Sequence, residues 1–157
     1  MTVRVTHVSG RFVDSKKASL RRSVGTVVSK YFDAAFLTGD YPRSDFDGAF
    51  EPFSKGAAAK ARKDRNLLTT ARLGPSTEAV AITQKEASLS MLAARGAVAG
   101  VTAQIRLVYV VDRGDRDGTR VTISGRLLLT REKSGDWQIF GYDVARSAVP
   151  DKQGEDR

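Results

Sequence analysis

The chain contains no cysteine and only one histidine, His7. Without cysteine there are no disulfides, no thiolate metal sites and no cysteine nucleophile. A zinc centre draws on several Cys and His ligands, so His7 alone does not furnish one and no metal is expected. A serine triad would have to recruit His7 from a short N-terminal run of strand character. No apolar run approaches the roughly 20 residues needed to span a bilayer, and no signal peptide is visible at the N-terminus. The opening "MTVRVTHVSG" enters a strand pattern at once. That start suits a cytoplasmic protein. It suits equally a chain whose membrane anchor has been replaced by Met1, which would be extracytoplasmic, and a membrane link is expected only by that route.

At 157 residues the chain is expected to form one domain. A domain of this size buries roughly two-thirds of its unfolded surface, enough for a core without staples. The net charge of +8 is unevenly spread. Residues 1–72 hold 14 Lys/Arg against 7 Asp/Glu, whereas residues 73–157 hold 12 against 11. A basic half of this kind attracts anionic partners or simply solvates helix surfaces.

The first half is helical in period. "TVRVTHV" alternates as a short edge strand over residues 2–8. Asp14 and Ser15 are N-cap candidates for a helix over 16–37. Its apolar stripe is Leu20, Val24, Val27, Val28, Tyr31 and Ala35, with Phe32 at the edge and Arg22, Ser29 and Asp33 opposite. Gly39 and Pro42 end it. Phe46, Phe50 and Phe53 can share one face of a short piece that Pro52 interrupts. Ser54 caps a further helical run, with Ala57, Ala58, Ala61 and Leu68 on its small face.

After "LGPS" the period becomes that of strands. The segment "EAVAITQKEASLSML" drifts in its alternation, which predicts a bulge. "VTAQIRLVYVV" and "RVTISGRLLLT" alternate cleanly around the loop "DRGDRDGT", and "DWQIFGYDV" follows the turn "KSGD". Helices followed by hairpin-connected strands predict an α+β fold, with N-terminal helices packed on a strongly bent antiparallel sheet of about four strands. The domain is expected over 1–147, with helices in 16–72, sheet in 78–147 and a disordered polar tail over 148–157.

This order, closed by a strand with Asp136, Trp137, Ile139 and Tyr142 at matching positions, resembles the NTF2-like (cystatin-like) cone fold over about residues 15–147. That superfamily includes isomerases, polyketide cyclases, dehydratases, transport adaptors and ectodomains of envelope machinery. The resemblance implies a concave pocket and frequent dimerisation through the sheet. Enzymes of this kind need a base of tuned pKa and an oxyanion donor in a low-dielectric pocket. The residues that could assemble one are Asp143, Asp40, Tyr31 and Tyr109, which would serve a cofactor-free isomerase, cyclase or dehydratase. Asp143 keeps the inward phase of Trp137 and Ile139 unless a bulge at Gly141 reverses it.

The other reading is a non-catalytic domain that docks a protein partner or an apolar ligand, and it is the one the residues favour. The predicted outer sheet face carries Arg106, Arg120 and Arg126, with Phe140 and Tyr142 beside them. Arginine mixed with aromatics suits protein interfaces. A homodimer or a protein partner on that face is therefore expected, with no cofactor. The basic run 55–65 lacks the interleaved aromatics of single-strand binders, so nucleic acid is not the expected partner.

Overall fold

The computed structural model describes residues 1–114 and 117–152. Strand β1, Thr2–Ser9, is followed by helix α1, Asp14–Phe32, which continues as a π-turn over Asp33–Leu37. A 3-10 turn at Asp47–Phe50 leads to α2, Lys55–Lys63, and α3, Arg65–Leu68. Four long strands complete the chain: β2, Ala79–Ala94; β3, Ala97–Asp112; β4, Thr119–Arg131; and β5, Trp137–Pro150. The fold is α+β, with the long helix packed on one sheet in the order β1-β2-β3-β4-β5.

The sheet has five strands rather than four and is mixed rather than antiparallel. β1 runs parallel to β2, whereas every other pair is antiparallel. Parallel neighbours need a crossover, and here the whole helical region between β1 and β2 provides it. Gly25 eases the docking of β1. A Cβ there would sit 3.1 Å from a Val3 methyl, so the bare backbone lets the edge strand close against α1.

The apolar stripe of α1 supplies the helix side of the core. Leu20, Val24, Val28, Tyr31, Phe32, Ala35 and Phe36 are buried. Val27, expected on that stripe, is only partly buried. The predicted side-chain caps are absent: Val13 occupies the cap position without a side-chain bond, and Asp14 already lies in the first turn. Ser54 does cap α2, accepting from the Ala57 amide at 3.3 Å. The sheet side of the core comes from alternate residues, among them Leu89, Met91, Ile105, Leu107, Ile123, Leu127 and Leu129. Each such side chain contributes on the order of 1.5–3 kcal/mol on burial.

The predicted irregularity of β2 is present, as register shifts at Ile82/Gln84 and Leu92/Ala93. β5 continues three residues past the expected domain end at 147, because Ala148, Val149 and Pro150 pair with Val121, Arg120 and Thr119. Asp151 then accepts from Arg120 at 2.8 Å. The rest of the predicted tail, 153–157, and the loop residues Asp115 and Arg116 lie outside the described residues.

Candidate functional site

The four residues of the enzyme reading do not converge. Tyr31 and Tyr109 lie in the core on either side of Phe36, each with its ring centroid 5.8 Å from that of Phe36. The Tyr31 hydroxyl donates to the Leu68 carbonyl at 2.8 Å. The Tyr109 hydroxyl shares a 3.2 Å bond with that of Thr70. Burial pushes the Tyr31 pKa far up, with the nearby Tyr109 and Tyr142 adding to the shift. Burial also pushes Tyr109 up to about 12, against the opposing effects of the Thr70 bond and Arg146. Both phenols are therefore neutral and locked into the fold by their hydrogen bonds. Asp40 lies exposed in the loop after the π-turn, and Asp143 is exposed on the opposite side of the sheet.

A β-bulge decides the placement of Asp143. Leu129 pairs with Ile139 but Leu128 pairs with Gly141, so Phe140 has no opposite residue and the phase of β5 reverses. Trp137 and Ile139 stay on the helix side, as their alternation predicts. Past the bulge Tyr142 turns to the helix side and Asp143 turns outward. Tyr142, expected on the outer face, instead packs edge-on against Phe53 at 6.1 Å and donates to Asp64 at 2.6 Å. Partial burial and the Asp64 carboxylate push its pKa up.

The remaining predicted binding residues do share the outer face. Cross-strand register sets them in rows. Val110, Arg120 and Val149 form one row, Val108, Thr122 and Ser147 the next, and Arg106, Ser124 and Ala145 the third. Gln104, Arg126 and Asp143 follow, then Thr102, Leu128 and Gly141. Arg126 donates to Asp143 at 2.8 Å, Arg120 to Asp151 at 2.8 Å and Arg106 to Gln84 at 3.1 Å. Arg126 and Asp143 are both well exposed, so their pairing adds little stability. Phe140, half exposed beside this surface, is held out by the bulge. Among the described residues no helix packs on this face.

Sequence patterning missed the polar ties that anchor the helices. Lys85 reaches from β2 to α1 and donates to Asp33 at 2.6 Å and to Ser29 at 3.0 Å, although both partners lie off the apolar stripe. Thr70, fully buried, takes its place beside Tyr109 through a backbone bond to Ala35 at 2.9 Å. The adjacent threonines in "LLTTARLG" were the available signal, since buried threonines need partners. Also missed is a cleft beside Trp137 on the helix side. Among the described residues no group of His, Asp and Glu is arranged to hold a metal ion, and no helix is long and apolar enough to cross a membrane.

No protein-family profile matches the chain, and neither a curated protein nor a solved structure resembles it significantly.

Proposed function

We propose that this is a non-catalytic docking domain of the NTF2-like type that works through its outer sheet face, and that the occupant of that face is a second copy of the chain. The observation that carries the reading is the open face itself, continuous across the four antiparallel strands. Strands of 13 to 16 residues spaced as in ordinary sheets offer a surface about 20 Å by 40 Å, close to the roughly 800 Å² per partner of a standard interface.

Charge favours a second copy over an acidic partner. The face carries Arg4, Arg106, Arg120 and Arg126 against Glu86, Asp143 and Asp151, and two of its arginines are already ion-paired. Most of the chain's positive excess lies in the first 72 residues, which the helices dominate, so two sheet faces can meet without strong repulsion. Val110, Leu128 and Phe140 offer apolar contact between the polar rows.

The absence of cysteine makes the test direct. A Ser124→Cys variant carries one thiol near the centre of the face. A short bifunctional maleimide is expected to join it to its copy. A Ser19→Cys control on α1 is expected to stay uncoupled. No coupling at position 124, or equal coupling at both positions, would defeat the reading.

A further inference from the structure

The second half of α1, the 48–52 segment and the β4–β5 hairpin enclose a cleft of about 690 Å³. Sites for small organic ligands span roughly 300–1,000 Å³. Val27, Ala34 and Pro52 give the cleft apolar wall, Lys30 and Arg131 stand at its rim, and Trp137 lines it.

Two features of these residues are unexplained by folding. The first is Trp137. It is buried to 7 % exposure, yet its Nε1–H has no hydrogen-bond partner. That N–H is itself enclosed by the protein, so a molecule in the cleft meets the face or edge of the indole ring rather than its donor. The second is the charge. Among the described residues neither Lys30 nor Arg131 has a carboxylate within ion-pairing distance. Arg131 donates to the Gly135 carbonyl at 3.1 Å, and its guanidinium carbon lies 5.9 Å from the Trp137 ring centroid.

The acidic groups at the cleft limit what it can take. Asp33 is engaged by Lys85, and Asp136 accepts from the Ser134 hydroxyl at 3.3 Å. Glu51 stands exposed at the mouth. Carboxylates this close oppose a dianion such as a phosphate monoester, whereas a single negative charge can sit between two cations. An adjoining hollow of about 250 Å³ shares Ser23 and Arg131 with the cleft, which leaves room for an elongated body.

We propose that this cleft binds a small organic carboxylate with an apolar body, the carboxylate held by Lys30 and Arg131 and the body lying against Trp137. The site is separate from the outer sheet face, so its test is independent of the oligomeric state.

Trp137 is the only tryptophan, so fluorescence excited at the red edge, where tyrosine does not absorb, reports on the cleft alone. The full chain is titrated with octanoate, and with octanamide as the uncharged isostere. Octanoate should give a saturable change with a Kd of about 1 mM or tighter. Octanamide should bind at least about tenfold more weakly, as expected for the loss of a charge-assisted contact. Lys30→Gln should melt at the wild-type temperature, Arg131→Gln, which loses the Gly135 bond, should melt slightly lower, and each should weaken octanoate binding several-fold. The proposal is overturned if neither octanoate nor benzoate gives saturation up to about 10 mM. It is equally overturned if octanamide matches octanoate, or if both variants bind as wild type does.

Discussion

Tyrosines 31, 109 and 142 illustrate how single side chains tie this fold together. Each hydroxyl is committed, to Leu68, Thr70 and Asp64 respectively. Each pKa is raised above the ordinary value of 10.0, with burial the largest cause. A phenol whose pKa is higher folded than unfolded holds its proton more tightly in the native state. Its stabilising contribution is therefore complete below pH 10 and is lost as pH climbs toward the folded value, which for Tyr109 is about 12. Between those limits each such tyrosine should lower stability by up to about 1.4 kcal/mol per pH unit. Melting temperatures recorded from pH 8 to 12 should hold level and then fall steeply above about pH 10. Tyr109→Phe should make that fall shallower. A melting temperature that stays flat to pH 12 would contradict the assigned burial. The roles of these residues were only partly legible. Burial of Tyr31 and Tyr109 follows from their place in the apolar stripes, but their partners come from residues 64–70 and are fixed only by packing.

Among the elements, regular periodicity was readable, and so was the irregularity of β2, but the consequence of the break in β5 was left open. The 3.6-residue stripe placed α1, and the clean alternation of β3 and β4 placed their inward faces, because each pattern is the direct trace of one buried side. The extent of β5 was underestimated, since its exposed last residues are held by pairing to β4 rather than by burial. Its bulge mattered more. Strict alternation carries Asp143 inward, whereas one unpaired residue at Phe140 sends it out to Arg126 and brings Tyr142 in. The segment 52–54 fixes the strand just before that point: Ile139 donates to the Pro52 carbonyl and accepts from the Ser54 amide, both at 2.8 Å. Nothing local in "WQIFGYDV" records that contact. The parallel pairing of β1 was likewise invisible, because it depends on where the crossover returns the chain.

Gly125 is the matching device in β4. Its φ of +138° is a conformation that side chains rarely adopt, and a Cβ there would run into the Asp143 carbonyl of β5. Gly125→Ala should therefore destabilise the domain by about 2 kcal/mol or more, through backbone strain and separation of the β4–β5 pair. Denaturant unfolding gives the value. A change below about 0.5 kcal/mol, typical of an unremarkable surface site, would refute the role given to this glycine.

Across the whole molecule, the two sides of the sheet have different chemistry. The helix side is closed by Leu, Ile, Phe and Tyr side chains, and its cleft opens toward the β4–β5 hairpin and the second half of α1. The outer side is open, ordered in rows and close to neutral, whereas the first 72 residues carry most of the net positive charge. The uneven charge was plain in the sequence, because strand-forming and helix-forming segments fall in separate halves. The outer face was legible too on β3 and β4, where Arg106, Arg120 and Arg126 alternate with buried residues, but the turn of Tyr142 away from it was not. The direct measurement is sedimentation velocity over a concentration series, wild type beside Ser124→Arg, which sets an added cation beside Arg106 and across from its copy. The wild type should shift from the 17.0 kDa monomer to twice that mass as concentration rises, and the variant should remain a monomer with an unchanged melting temperature. A wild type that stays monomeric to millimolar concentration, or a variant that dimerises equally well, would contradict docking through this face.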